Sequence, residues 1–404
     1  MKEIDAIGVL GAGTMGAGIA QVAAEAGLDV LIHDAISGAV ATSRERLAAR
    51  LARRVEKGQL TAEGAAAAEG RIRPVDTLEG VAAAGLVIEA IPEQLDLKLD
   101  AFRRLDTAAE PHATLATNTS SLSIARIAGA TAHPDRVVGM HFFNPVPMME
   151  LVEVVAGPLT SDAVIERVAM LARMLGKTPV VAADTPGFIV NRVARPYYLE
   201  ALRILGEGSA GIEEIDSAMR GIEFPAGPFE LIDLIGADVN LAASISVYEQ
   251  FFGEPRFRPH VIQRRLVDAG RLGRKAGGGF YDYAADGGRG AAWSGVGRRE
   301  PQGPSASQLE NAQIEARILA AIVNEAAWAA ADGVATPAAI DTAMRLGTNW
   351  PDGPLAWGER IGLASVVHTL DALHALMPDG RYGVAPLLRS LAEGGGSFFP
   401  TEPH

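Results

Sequence analysis

Short apolar segments alternate with amphipathic ones over roughly the first 185 residues of the chain. Residues 4–10 (IDAIGVL) and 28–33 predict two buried strands, and the apolar run from Ala17 to Ala26 predicts a helix between them. A strand, a helix and a second strand in this order are typical of a βαβ unit with parallel strands. Because strands and helices keep alternating, we expect a doubly wound α/β sheet that ends near Thr185. Further apolar runs predict strands at residues 86–88, 114–116, 137–143 and 151–155.

The pattern becomes helical from Gly187 onward. The tract 284–307 is rich in Gly, Arg, Ser and Pro and lacks hydrophobic periodicity, which is typical of a linker. The predicted organisation is a sheet domain at 1–185, a helical domain at 186–283, a linker at 284–306 and a second helical domain at 307–404.

The two predicted helical domains share sequence. Three separate segments match at offsets of 125, 125 and 126 residues, and three matches in register indicate a duplicated domain. At the same offset Asn191 corresponds to Ala316, and no sheet domain precedes the second copy, so we expect that copy to have a structural role. The matched segments are Glu200-Ala201 with Glu325-Ala326, residues 215–220 (IDSAMR) with 340–345 (IDTAMR), and Gly227-Pro228 with Gly353-Pro354.

Composition narrows the function. Of 404 residues 48% are hydrophobic, which is enough for ordinary cores, and the net charge is −13, which disfavours nucleic acid as a partner. Without cysteine there is no disulfide or thiolate metal site, and we predict no metal. No signal peptide precedes the first strand and no run of about 18 apolar residues occurs, so we expect a cytoplasmic protein without a membrane partner.

A glycine-rich segment joins the first predicted strand to the first helix. Gly11, Gly13 and Gly16 frame Thr14 and Met15, in the spacing that lets a dinucleotide pyrophosphate approach a helix N-terminus. Asp34 ends the next strand, where a carboxylate accepts from the adenosine ribose and repels a 2′-phosphate, which favours NAD over NADP. The alternatives are an ordinary glycine turn and, for Asp34, a helix N-cap.

The segment 139–154 carries the candidate acid–base chemistry. His141 ends one predicted strand and Glu153 lies in the next, with a proline-rich turn between them. If the strands pair, the carboxylate can fix the imidazole tautomer and stabilise the imidazolium that forms when the ring takes a proton. Oxidation of an alcohol by a nicotinamide cofactor needs such a base. A His–Glu pair taken alone is more often structural.

The chain resembles the 3-hydroxyacyl-CoA dehydrogenase family, including members with a duplicated C-terminal domain. The resemblance implies a Rossmann-type domain followed by two all-α domains like those of 6-phosphogluconate dehydrogenase. The motifs that carry it run in the family's order over residues 4–283: GAGTMGAGIAQVAA from Gly11, VIEAIPEQLDLK from Val87, NTSSL from Asn118, HFFNPVPMMELVEV from His141, DTPGFIVNR from Asp184, GPFELIDLIG from Gly227 and GRKAGGGFYDY from Gly273.

The resemblance implies catalytic roles for four residues. His141 matches the family's base and Glu153 its paired carboxylate. Ser120 matches the serine that bonds the substrate's 3-oxygen near the nicotinamide, and Asn191 the asparagine that aligns the substrate. Both Ser120 and Asn191 could instead cap helices.

It also implies cofactor contacts from Glu93, Lys98, Asn144 and Lys275, although Lys98 could simply be a solvated lysine. The helix predicted at 43–57 carries six basic residues, among which Arg50, Arg54 and Lys57 are the candidates for the phosphates of CoA. A solvated basic face is the alternative for that helix.

The implied activity is the reversible NAD-dependent oxidation of (S)-3-hydroxyacyl-CoA to 3-ketoacyl-CoA, as in fatty-acid β-oxidation, butanoate metabolism or aromatic-acid degradation. The alternatives are a dehydrogenase of free β-hydroxyacids, which relies on a catalytic lysine, and a redox-silent NAD-binding protein. The second helical copy is expected to form an internal pseudo-dimer with the first, and a homo-oligomer stays open.

Overall fold

The computed structural model describes residues 4–296 and 309–400. The chain divides into two compact units, Met1–Phe188 and Ile189–His404. The division lies close to the predicted end of the sheet domain at residue 185, and both helical copies belong to the second unit.

The first unit contains one eight-stranded sheet, in which all neighbouring strands are parallel except β6 and β7. The strand order is β3-β2-β1-β4-β5-β6-β7-β8. The hydrophobic pattern did not predict two of the strands, because β3 has only three residues and β8 lies at the sheet edge with mixed burial. The strands are β1 (Ala6–Leu10), β2 (Asp29–His33), β3 (Ile72–Pro74), β4 (Leu86–Glu89), β5 (Thr114–Thr117), β6 (Val137–Phe142), β7 (Leu151–Ala156) and β8 (Thr178–Ala183).

Helices cover both faces of this sheet. One core cluster joins strand residues to Ile19, Leu47 and Val168, and a second joins them to Phe102 and Ile127. The predicted doubly wound α/β fold is therefore confirmed. The helices are α1 (Thr14–Glu25), α2 (Ala39–Glu56), α3 (Ala62–Arg71), α4 (Leu78–Val81), α5 (Leu95–Ala108), α6 (Ile124–Ala128) and α7 (Asp162–Met174).

The second unit is mainly helical, and its helices after α8 recur in the same order after the hairpin of β9 and β10. The first set is α8 (Val190–Val193), α9 (Arg195–Glu207), α10 (Ile212–Gly221), α11 (Pro228–Ile235), α12 (Ala237–Gln250) and α13 (Val261–Asp268), followed by β9 (Tyr281–Tyr283) and β10 (Arg289–Ala292). The second set is α14 (Asn311–Ala331), α15 (Pro337–Thr348), α16 (Pro354–Ile361), α17 (Leu363–Leu376) and α18 (Pro386–Gly394).

The hairpin corrects the predicted linker at 284–306. Its first part pairs with the end of the first copy, because Arg289 stacks over Tyr281 at 4.8 Å and forms an ion pair with Glu230. Charged side chains thus fix a segment that has no hydrophobic period. The rest of the predicted linker, from residue 297, lies outside the described residues.

The two copies exchange buried ion pairs reciprocally. Arg192 Nε lies 2.7 Å from Glu325 Oε1, and Arg317 Nε lies 2.5 Å from Glu200 Oε1. Arg317 follows Arg192 by 125 residues, and Glu325 follows Glu200 by the same interval. Contacts of type i-to-j and j-to-i are the mark of a twofold interface, so the copies pack as a pseudo-symmetric pair within one chain.

Within the described residues, no single helix is long and apolar enough to cross a membrane. One pair of helices, α11 and α12, passes the test of length and composition together, with a bend of 101° between them.

Candidate functional site

The glycine-rich loop lies where β1 meets α1. Gly11 has a φ of 105°, which favours glycine, and a Cβ on Gly16 would overlap the Gly11 carbonyl oxygen. Gly13 is the N-cap of α1 and provides no side-chain cap, so the first N–H groups of the helix are left for an anion. A Cβ at Gly13 would meet no protein atom within 4 Å. The loop therefore fits a pyrophosphate, and Met15 packs its side chain against the core below.

Asp34 organises this loop from the end of β2. Its Oδ2 accepts from Ala12 N at 2.7 Å, and its Oδ1 accepts from Ile36 N at 2.8 Å. The N-cap of α2 is Gly38, so the N-cap alternative for Asp34 is wrong. A carboxylate has about four acceptor positions. Asp34 can therefore hold the loop and still accept from ribose hydroxyls, as an NAD site requires.

A buried ion pair that the sequence analysis missed lies beside the loop. Lys98 is only 1% exposed, and its Nζ lies 2.5 Å from Oε1 of Glu89, which is fully buried. Thr117 Oγ1 donates to the other oxygen of Glu89 at 2.7 Å. The alternative of a solvated Lys98 is therefore wrong. The signal was present in the sequence, because an acidic residue ends the apolar run of β4.

Glu93 holds the segment that contains Ser120. Its Oε1 accepts from Thr119 Oγ1 at 2.5 Å and from the main-chain N of Ser120 at 3.0 Å, while its Oε2 lies 3.3 Å from Lys98 Nζ. Burial alone would raise the pKa of Glu93, but the Lys98 cation and the Thr119 hydroxyl lower it overall. The N-cap of α6 is Ser123, so Ser120 is not a helix cap. Glu93 is thus an anion that positions Ser120.

His141 and Glu153 are directly paired across the antiparallel strands β6 and β7. The His141 Nδ1 lies 2.6 Å from Glu153 Oε2, and both side chains are buried. An ionised carboxylate only accepts, so Nδ1 carries the proton and Nε2 is the basic nitrogen. The rings of Phe143 and Phe188 lie 4.5 and 5.9 Å from the imidazole, which gives it an apolar surround.

Two residues of the quoted motifs fix the backbone around this pair. Asn118 Oδ1 accepts from Phe142 N at 2.9 Å and so joins the end of β5 to β6. Asp184 accepts from Ile124 N and Ala125 N at 3.0 and 2.7 Å and caps α6. Both roles are positional, and motif spacing alone does not distinguish them from substrate contacts.

A cavity of about 990 Å³ opens between α1, α2 and the turn after β6. Gly13, Thr14 and the exposed Asn144 line it, so the structure brings three predicted cofactor residues to one cavity. Six cationic side chains and a single carboxylate, Glu25, also line it, in a chain of net charge −13. The cations are Arg46, Arg50, Arg53, Arg54, Lys57 and Lys177.

The proposed CoA contacts differ in how firmly they are held. Arg54 Nη1 lies 2.7 Å from Glu25, and Arg50 Nε donates to Gln21 Oε1 at 3.0 Å, whereas Lys57 is exposed. Burial lowers the pKa of Arg50, and the neighbouring Arg46 lowers it further.

Two predicted site residues belong to the second unit. Asn191 lies in α8, whose N-cap is Ile189, so the helix-cap alternative for Asn191 is wrong. Its main-chain oxygen accepts from Arg195 Nε at 3.0 Å. Lys275 is half exposed, and its Nζ lies 2.6 Å from Asp238 at the start of α12. Its contact with a cofactor stays a prediction.

Known proteins of one family match this chain over nearly its whole length. Residues 6–185 match the NAD binding domain of 3-hydroxyacyl-CoA dehydrogenase, and its C-terminal domain matches twice, at 187–283 and 314–397. A 3-hydroxyadipyl-CoA dehydrogenase of Escherichia coli is 40% identical over 97% of this chain and 98% of its own length. A probable 3-hydroxybutyryl-CoA dehydrogenase of Bacillus subtilis is 45% identical over 70% of this chain and 98% of its own. The crystal structure of a 3-hydroxybutyryl-CoA dehydrogenase from E. coli K12 superposes with a TM-score of 0.89 at 38% identity, covering 98% of this chain and 100% of that one.

Proposed function

Because the chain belongs to the 3-hydroxyacyl-CoA dehydrogenase family of NAD-dependent oxidoreductases, we propose that it interconverts (S)-3-hydroxyacyl-CoA and 3-ketoacyl-CoA. The oxidation forms NADH and releases one proton. The observation that carries the proposal is the buried His141–Glu153 pair, because it supplies a base for that proton.

His141 Nε2 takes the proton of the 3-hydroxyl group as the alcohol is oxidised. The imidazole becomes a cation, and Glu153, 2.6 Å from Nδ1, stabilises it without taking the proton itself. Ser120 forms a hydrogen bond with the 3-oxygen, and Glu93 holds the Ser120 backbone in place. Asn191 aligns the substrate. In the reverse direction the imidazolium returns its proton to the ketone oxygen.

NAD⁺, when bound, would supply the hydride acceptor for the oxidation at C3. Gly11, Gly13 and Gly16 shape the loop that would hold its pyrophosphate, and Asp34 would accept from the adenosine ribose. Asn144 lines the cavity between α1, α2 and the turn after β6, here called the basic cavity, and is proposed to contact the cofactor from there.

The basic cavity is proposed to bind the phosphates of CoA. Arg50 and Arg54 of α2 and its C-cap Lys57 line this cavity, and the excess of cations there attracts a polyanion to an otherwise acidic chain. The relative named for 3-hydroxyadipyl-CoA makes a dicarboxylic acyl chain a candidate substrate here.

We further propose a cytoplasmic location, as the sequence predicts. The two helical copies are proposed to act as an internal pseudo-dimer. Cell fractionation and the molar mass in solution test these two points.

The decisive experiment is reduction of acetoacetyl-CoA followed through NADH absorbance, with free acetoacetate as the matched non-CoA substrate. Turnover of the thioester alone supports the proposal. Turnover of the free acid alone would indicate a β-hydroxyacid dehydrogenase, and turnover of neither of these two compounds nor of 3-oxoadipyl-CoA would indicate a redox-silent protein.

Substitution of the acid–base pair tests the mechanism. His141→Gln should lower kcat by about 10²–10⁴-fold with an almost unchanged NADH Kd, since the dinucleotide contacts lie elsewhere. Glu153→Gln should also slow turnover, and the double variant should be less impaired than the product of the single effects. A near-normal kcat in His141→Gln would remove this histidine from the mechanism.

A further inference from the structure

A polar cluster is buried inside the first helical copy. Its centre is Arg195, the first residue of α9, which is 4% exposed. Nε donates to Asn191 O at 3.0 Å, and Nη1 donates to Ser244 Oγ at 3.3 Å and to Asn240 O at 3.5 Å. The guanidinium also lies over the Tyr198 ring at 4.9 Å.

Arg195 has no anionic partner within residues 4–296 and 309–400, and burial lowers its pKa. The buried arginines near it differ in this respect. Arg203 pairs with Glu200, and Arg192 pairs with Glu325. A buried cation without an anion is costly, so an anion that arrived from outside would be stabilised at this guanidinium.

One donor in the cluster lacks a hydrogen-bond partner altogether. Asn240 Nδ2 is buried and has no acceptor, while Asn240 Oδ1 accepts from Gln263 Nε2 at 2.8 Å. Gln263 Nε2 also lies 3.2 Å from Ser244 Oγ. The cluster therefore has a surplus of buried donors over acceptors, which is the reverse of what a self-sufficient network needs.

The second copy shows that the fold does not require this cluster. At offsets of 125 and 126 residues its four members correspond to apolar side chains, each at most 2% exposed. Apolar residues at such positions are commonly as stabilising as buried charges or more so. The polar set is thus confined to the copy that carries Asn191. The correspondences are Arg195 with Ala320, Asn240 with Val366, Ser244 with Leu370 and Gln263 with Leu388.

We propose that Arg195 and Asn240 bind the distal carboxylate of a dicarboxylic 3-hydroxyacyl-CoA and so determine substrate specificity. The inference rests on the proposed function, in which Asn191 aligns the acyl chain. Arg195 is four residues from Asn191, and its Nε donates to the Asn191 main-chain oxygen, so the guanidinium lies next to the residue proposed to align the acyl chain. A carboxylate there gives the guanidinium its missing anion and gives Asn240 Nδ2 an acceptor.

The test compares 3-oxoadipyl-CoA with 3-oxohexanoyl-CoA, which has the same chain length and a methyl group in place of the carboxylate. Arg195→Met should lower kcat/KM for the dicarboxylic substrate roughly 10²- to 10³-fold and leave the other within about threefold. Asn240→Asp, nearly isosteric, places a carboxylate in the cluster and should cause the same selective loss. Arg258→Met removes a half-exposed arginine of the same unit and should change neither value.

Equal losses on both substrates in Arg195→Met would make Arg195 a structural residue and overturn the proposal. A second measurement needs no variant, because the Kd values of adipyl-CoA and hexanoyl-CoA for the unaltered chain can be compared by calorimetry. We expect adipyl-CoA to bind at least about tenfold more tightly, and equal Kd values would also overturn the proposal. Failure of the proposed function itself looks different, since neither 3-ketoacyl-CoA would then oxidise NADH.

Discussion

At the scale of single residues, one carboxylate at the end of β2 serves both the fold and the predicted ligand. Asp34 accepts from Ala12 N and from Ile36 N, and it carries the negative charge that disfavours a 2′-phosphate. These two effects can be separated by substitution, because the hydrogen bonds need an acceptor whereas the repulsion needs a charge.

We expect NAD(H) to be preferred to NADP(H). Asp34→Ala should weaken that preference and also lower the affinity for NADH, since Ala12 N loses its acceptor. Asp34→Asn keeps an acceptor and should weaken the preference with a smaller loss of NADH affinity. The measurement is kcat/KM for both cofactors. Equal values for the two cofactors in the unaltered chain would refute the role of Asp34.

The buried Glu200 makes stability depend on pH. Burial alone would raise its pKa, but the Arg317 and Arg203 cations and the Tyr382 hydroxyl lower it from 4.5 to about 2. A lowered carboxyl pKa stabilises the folded state fully above about pH 4.5, and this contribution disappears as the pH falls through 2. The difference is on the order of 3 kcal/mol.

Denaturant midpoints measured between pH 5 and pH 2 test this dependence. Glu200→Gln should flatten the fall in the free energy of unfolding over that range. Glu207→Gln is the matched control, because Glu207 also pairs with Arg317 but is a third exposed. An identical pH dependence in Glu200→Gln and the unaltered chain would show that Glu200 does not titrate as expected.

At the scale of elements, two glycines of the loop before α1 are needed for different reasons: the fold requires Gly16, whereas the predicted ligand requires Gly13. A Cβ at Gly16 would collide with the Gly11 main chain, whereas a Cβ at Gly13 would enter open space. We therefore expect Gly16→Ala to lower both Tm and NADH affinity, and Gly13→Ala to lower only the affinity. Thermal unfolding and NADH titration of the two variants provide the comparison. A normal NADH Kd in Gly13→Ala would mean that no pyrophosphate approaches there.

Elements with a strong local pattern could be predicted from the sequence. The long apolar runs predicted β1, β2 and β4 to β7, and the proline-rich turn predicted the pairing of His141 with Glu153. The hairpin of β9 and β10 could not be predicted, since long-range contacts of Arg289 hold it. The acidic residue Glu89 at the end of β4 was visible in the sequence, but its pairing with Lys98 was not, because only the turn between β4 and α5 brings Lys98 to it.

At the scale of the whole chain, the helical domain is duplicated, and equivalent residues of the two copies form the interface between them. Arg192 also lies 2.6 Å from Asp332, and Arg317 lies 2.7 Å from Glu207, which precedes Asp332 by the same 125 residues. Arg192 contacts Glu325 and Asp332 of the second copy, and Arg317 contacts Glu200 and Glu207 of the first. The two arginines therefore pair with equivalent acids, each in the other copy. Such an arrangement is what two identical domains related by a twofold axis would form.

Removal of the second copy tests that relation. A chain that ends near Ser307 loses no predicted catalytic side chain, but it leaves Arg192 without Glu325 and exposes the apolar face that α14 covers on α9. Glu200 is the counterpart of Glu325 in the first copy. The Glu200 of a second truncated chain can therefore pair with Arg192. We therefore expect the truncated protein to dimerise, or to aggregate where pairing fails, with a Tm that rises with protein concentration. Light scattering gives the molar mass, and Arg192→Met in the truncated chain should weaken the dimer. A truncated protein that stays monomeric and as stable as the full chain would show that the second copy does not shield the first.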